Sequence, residues 1–348
     1  MIYDLPEWDA HEALHVFEDT PSGLRAVVGV HSTHLGPGAG GTRLWRYSSD
    51  GDAVRDALHL SRAMSYKNAL AGLALGGGKG VILEPDGTYD RHALFSAYGR
   101  ALEACGGTYK TTEDVGVGPA DMDVIATQTA HVGGLTHGPN ASGDPSPHTA
   151  RGIFLAMERA WARLGKGSGG SLRGASVAVQ GLGSVGYALA EHVAEAGARL
   201  LVADINGRAV ARAERELGAT AVPVDAVHAV EADIFAPCAL AHAVRADTVE
   251  AITAKLVCGG ANNQLASPEV GARLRERGVL YAPDYVVNAG GIINVASELG
   301  GAYSAEWVAA KVAAIPDTLD AVLDRAEAEG LPPAEVADRM ARERIGRG

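Results

Sequence analysis

Three glycines in one short segment constrain the fold of this 348-residue chain more than any other feature of its sequence. Gly181, Gly183 and Gly186 lie between the apolar run SVAVQ and an amphipathic stretch, YALAEHVAE. In a strand–turn–helix unit the first glycine permits the tight turn and the second lets a phosphate approach the backbone. The third allows the helix to pack on the strand. The segment therefore predicts a unit that binds a dinucleotide at the start of its helix.

An acidic residue at the end of the next apolar run indicates which dinucleotide binds. Asp204 closes the run RLLVAD, about 20 residues after the first glycine, which is the spacing of this motif. A carboxylate at this place hydrogen-bonds a ribose 2′-hydroxyl and repels a 2′-phosphate. The sequence therefore predicts NAD as the cofactor, while the nearby Arg208 leaves some use of NADP open.

Short apolar runs alternate with helical or glycine-rich stretches along most of the chain. In the second half these runs are SVAVQ, RLLVAD, ADIFAP, AKLVCG and VLYAP, a pattern typical of a parallel sheet covered on both faces. In the first half the strand-like LRAVVGVHST and VILEP alternate with the helical DAVRDALHLSRAM and RHALFSAYGRALEAC. This alternation of strands and helices predicts an α/β fold. Because the chain is longer than one hydrophobic core usually serves, we also expect two domains, separated by a cleft.

Turn-forming residues mark the predicted domain boundary. The segment HVGGLTHGPNASGDPSP, residues 131–147, predicts a loop or a crossing between domains. We expect a first domain over residues 1–140 and a doubly wound Rossmann domain that binds NAD over residues 141–320. A helical tail over residues 321–348 is expected to pack back toward the first domain.

Charge, hydropathy and cysteine content exclude several classes of protein. The net charge of −12, without a basic run, argues against nucleic-acid binding, and no apolar stretch is long enough to cross a membrane. The first residues carry acids where a secretory leader would carry a basic end. Three separated cysteines, Cys105, Cys238 and Cys258, fit a reducing compartment and buried thiols. A cytoplasmic protein is therefore predicted.

A lysine among glycines raises the question of a phosphate site or a catalytic group. Lys79 lies in LALGGGKGVI, but Gly80 stands where a phosphate-binding loop needs a serine or threonine. A cleft of low dielectric constant would instead lower the pKa of the ammonium group toward neutrality, so that the lysine can exchange protons. With Lys67 and Asp114, both in glycine-rich or apolar settings, it would suit an anionic substrate that carries an amine.

Nine longer motifs together resemble one enzyme family. They are GPGAGGTR, MSYKNALAGL, LGGGKGVI, TTEDVG, ADMD, SGDPSPHTARG, APCAL, GGANNQL and YAPDYVVNAGGIINVA. This set is similar to the glutamate, leucine, phenylalanine and valine dehydrogenase superfamily, and most like its bacterial leucine and valine enzymes. The resemblance implies a first domain for substrate binding and oligomerisation. It also implies reversible oxidative deamination of an amino acid to a 2-oxo acid and ammonia, with transfer of a hydride to NAD.

The resemblance also implies roles for individual residues. Lys67 would bind the substrate carboxylate beside the backbone of Gly40 and Gly41. Lys79 would activate water, and Asp114 would transfer protons to and from the amine. The implied cofactor-binding set is Gly181, Gly183, Ser184, Val185, Gly186, Asp204, Thr149, Ala239, Asn262 and Asn288, of which Asn262 would also contact substrate.

Four positions would line the pocket for the substrate side chain: Ala39, Thr112, Ile292 and Val295. None is basic, which disfavours glutamate. The leucine enzymes usually carry leucine where this chain has Ala39 and alanine where it has Thr112, whereas Val295 matches the aliphatic enzymes. A branched aliphatic side chain such as that of leucine, valine or isoleucine is therefore predicted, with phenylalanine as the alternative.

The sequence argues against two other classes of function. One is a regulatory protein that binds NAD without turnover, which Lys67, Lys79 and Asp114 argue against. The other is metal catalysis through the pairs His11 with His15 and His31 with His34, but no third ligand accompanies either pair, so no metal is predicted. The resemblance further implies a homo-oligomer of unspecified size.

Overall fold

The computed structural model describes residues 1–138, 140–167 and 171–348, and it divides into two compact units. The first unit comprises Met1–Asp144, Ile292–Trp307 and Ala341–Gly348, and the second comprises Pro145–Gly291 and Val308–Met340. Both units are built on a β-sheet flanked by helices, so the predicted α/β class is confirmed.

The expected tail over residues 321–348 is shared between the units. Its residues up to Met340 belong to the second unit, and Ala341–Gly348 belong to the first. The first unit also contains Ile292–Trp307, which the expected boundaries place in the second domain.

The first unit contains a five-stranded mixed sheet. Its strands are β1 (Ala13–Asp19), β2 (Leu24–Ser32), β3 (Gly38–Trp45), β4 (Gly76–Leu83) and β5 (Tyr109–Glu113), and its main helices are α1 (Asp50–Leu70), α2 (Arg91–Ala104) and α3 (Pro119–Ala126). The strand order is β1-β2-β4-β3-β5, with β3 parallel to both β4 and β5. Val27 and Val81 pack with Ala53 and Ala57 of α1 on one face. The other face contacts α2 and α3 through a larger cluster that includes Tyr98.

The second unit contains six parallel strands in the order β11-β10-β9-β6-β7-β8. The strands are β6 (Ser176–Gln180), β7 (Arg199–Ala203), β8 (Thr220–Ala221), β9 (Ile234–Pro237), β10 (Leu256–Val257) and β11 (Leu280–Tyr281). The helices that follow in chain order are α4 (Ser146–Arg163), α5 (Ser184–Glu195), α6 (Gly207–Leu217), α7 (Pro268–Glu276), α8 (Asp284–Val287), α9 (Gly290–Leu299), α10 (Ala305–Ala313), α11 (Ile315–Glu329) and α12 (Pro333–Arg344). This strand order is that of a doubly wound fold with its switch point between β6 and β9, so the predicted Rossmann topology is confirmed.

The glycine run before Lys79 lies inside a strand, although the sequence predicted that the strand would begin only at Val81. A Cβ atom placed at Gly77 would lie 2.2 Å from the backbone nitrogen of Ser65, and one at Gly80 would lie 2.0 Å from the Tyr98 hydroxyl. No larger side chain fits at such distances. The glycines therefore let α1 and the tyrosine pack directly on β4, rather than leaving its backbone open.

Two further sequence expectations concern membranes and thiols. No helix among the described residues is long and apolar enough to cross a membrane. Cys105 and Cys258 are buried as expected, whereas Cys238, which directly follows β9, is only half-buried.

Candidate functional site

Lys79 and Asp114 form a buried ion pair in the first unit. Lys79 lies in β4 and its side chain is 7% exposed, while Asp114 follows β5 directly and is 24% exposed. The Lys79 Nζ atom donates a hydrogen bond to Asp114 Oδ2. Residues two apart in a strand point to the same face, and Val81 packs against α1, so Lys79 lies on the α1 face of the sheet. The structure thus brings together the two residues predicted to be catalytic.

A second cation, Arg43, contacts the same carboxylate. Arg43 pairs with Val81 across β3 and β4, and its Nε lies 3.3 Å from Asp114 Oδ2. Its Nη1 donates to Asp56 Oδ2 of α1 at 2.9 Å. Asp114 is therefore held between two cations, one of which is anchored by a carboxylate on the adjacent helix.

The pKa values of Lys79 and Asp114 are both lowered in this site. Burial lowers the pKa of Lys79 below its usual range, against the opposing effect of Asp114, and Arg43 lowers it further. Burial opposes ionisation of Asp114, but Lys79 and Arg43 hold the pKa of that carboxyl below its usual value. The pair therefore combines an ionised carboxylate with an amine that loses its proton more readily than an exposed lysine.

Lys67 lies in the last turn of α1, where the helix packs closely on the glycine-rich strands. Met64, one turn earlier on the same helix face, approaches Gly40: a Cβ placed there would lie 2.9 Å from Met64 Cγ. Asn68 Nδ2 donates to the carbonyls of Ala39 and Gly76, at 3.3 Å and 2.6 Å. Helix packing therefore fixes the half-buried Lys67 at the Gly40 end of β3.

The predicted side-chain pocket residues lie on β3, β5 and α9. Thr112 pairs with Gly41 across β5 and β3, and a Cβ at Gly41 would lie 2.7 Å from Asp114 Cβ. Ala39 is fully buried, Thr112 and Val295 are 6% exposed, and Ile292 is half-buried. Val295 approaches Gly133, where a Cβ would lie 3.4 Å from Val295 Cγ1.

The second unit builds the predicted dinucleotide loop at the switch point. Gly181 has φ +94°, and a Cβ there would lie within 2.9 Å of Ala239 backbone atoms after β9. A Cβ at Gly186 would lie 2.0 Å from the Gly181 carbonyl oxygen. Nothing lies within 4 Å of a Cβ at Gly183, which begins α5 without a side-chain cap. The first N–H groups of α5 therefore face an open approach suited to an anion.

Asp204 is fixed to this loop by two backbone hydrogen bonds. Its carboxylate accepts the N–H of Leu182 at 2.5 Å and the N–H of Asn206 at 2.7 Å. Ile205, directly after it, is 92% exposed, and Leu240 on the β9 side is 80% exposed. A half-buried carboxylate and two exposed apolar side chains thus flank the switch point.

Three predicted residues lie near the end of β10 and the start of α9. Asn288 Nδ2 donates to Asn262 Oδ1 at 3.0 Å and to the Gly260 carbonyl at 3.1 Å. The Oδ1 atom of Asn288 is buried without a hydrogen-bond partner among the described residues. Thr149 Oγ1 would lie 2.7 Å from a Cβ at Gly291. Val185 similarly approaches Gly260.

The histidine pairs considered for a metal take part in packing. His11 Nε2 lies 2.9 Å from the Leu58 carbonyl, and its ring centroid is 4.8 Å from that of His31. His15 stacks on Phe17. Across the described ranges, no group of three or more His, Cys, Asp or Glu side chains could hold a metal ion.

Sequence reasoning missed two groups in the first unit. The sequence shows Arg43 and Asn68 only as members of the motifs GPGAGGTR and MSYKNALAGL. Each joins separate elements of the fold: Arg43 connects β3, α1 and the end of β5, whereas Asn68 connects α1 to β3 and β4. The only signal in the sequence for either residue was a polar side chain within a stretch rich in glycine or apolar residues.

Two family models match the chain. The model described as "Glu/Leu/Phe/Val dehydrogenase, dimerisation domain" matches residues 11–131. The model described as "Glutamate/Leucine/Phenylalanine/Valine dehydrogenase" matches residues 142–212 and 200–346. Together they account for most of both units.

Individual proteins are similar over nearly the whole length. A leucine dehydrogenase from Geobacillus stearothermophilus is 47% identical, covering 96% of this chain and 90% of its own. A valine dehydrogenase from Streptomyces coelicolor is 46% identical, covering 96% and 92%. Among solved structures, L-tryptophan dehydrogenase from Nostoc punctiforme aligns with a TM-score of 0.83 and 36% identity, covering 97% and 96%.

Proposed function

Because the chain belongs to the Glu/Leu/Phe/Val dehydrogenase family, we propose that it catalyses reversible, NAD-dependent oxidative deamination of an apolar L-amino acid. Family membership makes the protein an amino acid dehydrogenase. The proposed products are the 2-oxo acid and ammonia, and leucine, valine and isoleucine are the proposed substrates. Similarity to leucine and valine dehydrogenases supports an aliphatic substrate.

The observation that carries this proposal is the buried pair of Lys79 and Asp114. Deamination needs one group that accepts a proton from the substrate ammonium and another that accepts a proton from attacking water. Asp114 remains ionised between two cations, and Lys79 has a lowered pKa. An ionised Asp114 can accept a proton, and Lys79 gives up its own proton more readily than an exposed lysine, so both groups can exchange protons with the substrate and water. Their fixed positions stabilise charge that develops during the reaction.

Each candidate site residue of the first unit has a proposed role in the reaction. The Lys67 ammonium binds the substrate carboxylate, and the Gly40 and Gly41 backbone shapes the same end. Asp114 takes a proton from the α-ammonium group, which leaves the nitrogen lone pair free to assist loss of hydride from Cα. Lys79 then removes a proton from the water that attacks the iminium carbon, which gives a carbinolamine. Asp114 returns its proton to the nitrogen, and ammonia leaves as the carbinolamine oxygen forms the carbonyl. The hydroxyl proton and the proton held by Lys79 pass to solvent.

The residues of the second unit fit a bound dinucleotide. NAD+, when bound, supplies the acceptor for the hydride that leaves Cα. The uncapped start of α5 suits the pyrophosphate and Asp204 suits the adenosine ribose, while Ile205 and Leu240 offer apolar contact for the adenine. The unpartnered Asn288 Oδ1 suits the amide donors of the nicotinamide, near Thr149 and Asn262.

A substrate panel tests the function directly. The purified enzyme is incubated with single L-amino acids and either NAD+ or NADP+, and nicotinamide absorbance is followed. We expect the highest kcat/KM with branched aliphatic substrates and NAD+, and low activity with glutamate or with amines that lack a carboxylate. No turnover with any amino acid would overturn the proposal.

Aromatic amino acids are the second candidate substrate class. The similarity to an L-tryptophan dehydrogenase structure and the small side chain of Ala39 favour this alternative. A kcat/KM for phenylalanine or tryptophan above that for leucine would establish it.

We further propose a cytoplasmic homo-oligomer. One matching family model is described as a dimerisation domain, and three unpaired cysteines fit a reducing compartment. Light scattering of the purified chain measures the oligomeric state.

Replacing Gly183 with alanine is expected to weaken NAD binding at least tenfold with little loss of stability. Gly183 has φ −65° and open space around its Cβ direction, so the fold tolerates a methyl group. The methyl group would instead occupy the approach of the pyrophosphate to the backbone. Calorimetric titration with NAD+ measures the change. Gly118→Ala is the matched control, since Gly118 also precedes a helix with open space around it. Equal affinity in both variants would contradict the proposed phosphate site.

Replacing Arg43 with alanine is expected to move the pH profile of kcat/KM upward by about one unit. Burial is the main cause of the lowered pKa of Lys79, and Arg43 adds to it. Arg43 also helps to hold the pKa of Asp114 down. Its loss raises both pKa values, so ionised Asp114 and neutral Lys79 are reached only at higher pH. Arg46→Ala, which removes an exposed arginine from Glu84, should leave the profile in place. A fall in kcat without movement of the profile would argue against this role for Arg43.

A further inference from the structure

Glu298 is a buried carboxylate that takes no part in the chemistry proposed above. The residue is 6% exposed and lies near the end of α9. Its Oε2 accepts hydrogen bonds from Gly134 N at 2.9 Å, from Ser142 N at 3.3 Å and from Ser142 Oγ at 2.6 Å. Its Oε1 accepts one from Leu135 N at 3.2 Å. Within the described part of the chain no basic side chain pairs with it, so these four donors hold the carboxylate.

These bonds attach α9 to the segment 133–142. Asn294, one turn before Glu298, is fully buried and donates from Nδ2 to the Ser142 carbonyl at 3.0 Å. Tyr303 in turn donates its hydroxyl to Asn294 Oδ1 at 2.8 Å. Hydrogen bonds to a buried carboxylate are stronger than those between neutral groups. Glu298 therefore contributes more than Asn294 to holding the helix against this segment.

The helix and β5, to which the segment is hydrogen-bonded, carry residues predicted to line the side-chain pocket. Gly133 donates its N–H to the Thr111 carbonyl at 2.9 Å, which fixes the segment to β5 next to Thr112. Val295 lies three residues before Glu298 on α9 and packs against Gly133. The separation between Val295 and β5 therefore depends on how firmly Glu298 holds the segment.

We propose that Glu298 is a positioning residue that sets side-chain selectivity by fixing α9, and with it Val295, against the β5 wall of the substrate pocket. This inference rests on the proposed function, since it assumes an amino acid substrate whose side chain enters that pocket. Selectivity among apolar side chains depends on a close fit, in which one methylene changes kcat/KM by about 10- to 200-fold. A loosened wall would lose much of that discrimination.

Glu298→Gln tests the proposal. The amide has one acceptor oxygen and an NH2 group that faces backbone donors, so it cannot hold all four N–H and O–H groups. We expect KM for the preferred amino acid to rise about tenfold, and the ratios of kcat/KM among valine, leucine and phenylalanine to fall about tenfold toward one. The Kd for NAD+ and the kcat should each change by less than about threefold.

Two controls keep the result interpretable. Glu306→Gln changes an exposed glutamate in the same way and should leave the ratios unchanged. Ser142→Ala removes one of the four donors and should give a smaller loss of selectivity in the same direction, even if the Glu298 variant fails to fold. Unchanged ratios in folded Glu298→Gln, or in Ser142→Ala if the former does not fold, would overturn the proposal. A wild-type enzyme without amino acid turnover would instead overturn the proposed function.

Discussion

We expect Lys79→Ala to lower kcat for amino acid oxidation by about 10³-fold. Loss of a general base typically lowers the rate by about 10²- to 10⁴-fold. Alanine cannot take a proton from the attacking water, and no other lysine shares the α1 face of β4 at that position. The dinucleotide loop belongs to the second unit, so affinity for NAD+ should stay within about twofold of the wild-type value. Steady-state kinetics and calorimetric titration with NAD+ measure the two effects separately.

An exposed lysine provides the matched control for this substitution. Lys166 lies beyond the end of α4 and is exposed, so Lys166→Ala should retain wild-type turnover. Near-normal activity in Lys79→Ala would remove the lysine from the mechanism. A parallel loss of NAD+ affinity and turnover would instead point to a general structural defect.

Asp114→Asn has the second largest expected effect, a loss of about 10² to 10⁴ in kcat. The amide cannot accept a proton from the substrate ammonium, and it leaves Lys79 without its carboxylate partner. Breaking a buried pair by removing one partner commonly costs about 3 to 5 kcal/mol. We expect a smaller destabilisation of about 1 to 3 kcal/mol, because burial already favours neutral Lys79, which can lose its proton. Denaturant unfolding and initial rates measure the two losses.

The variant Asp56→Asn distinguishes this role from a general loss of negative charge. Asp56 also contacts Arg43 but makes no hydrogen bond to Lys79, so we expect turnover within about tenfold of wild type. The folded-state pKa of Asp114 is lowered, so its contribution to stability is fully present above about pH 4 and is lost as pH falls through that lowered value. Equal losses of activity in both variants would contradict a distinct role for Asp114.

The sequence predicted the second unit better than the first for a physical reason. The predicted dinucleotide loop depends only on residues that are close in sequence. Gly181, Gly183 and Gly186 lie at the junction of one strand, one turn and one helix. The spacing alone therefore indicates the structure. In the first unit, the glycine run before Lys79 was not expected to belong to a strand. It lies in β4 because Gly77 and Gly80 pack against α1 and α2, and that packing is not visible in the sequence.

The same contrast explains which parts of the candidate site were missed. Lys79 and Asp114 could be proposed from the sequence because each stands in a distinctive motif. Arg43, Asn68 and Glu298 act by connecting segments separated by 8 to 164 residues, such as Asn68 to Gly76 and Glu298 to Gly134. A single sequence carries no spacing rule for such pairs, so only a three-dimensional structure reveals them.

The discontinuous make-up of the first unit has a consequence for biosynthesis. Its α9 residues lie after Pro145–Gly291, so the ribosome makes that whole stretch of the second unit before the partner of the 133–142 segment exists. Domains often fold during translation in the order in which they emerge. Here the five strands of the first sheet would already have been made, while the Glu298 carboxylate that accepts hydrogen bonds from Gly134 and Ser142 would not. Maturation would then include the joining of a late helix to an early sheet, and each unit would be completed only when its own last segment, Ala341–Gly348 or Val308–Met340, has been made.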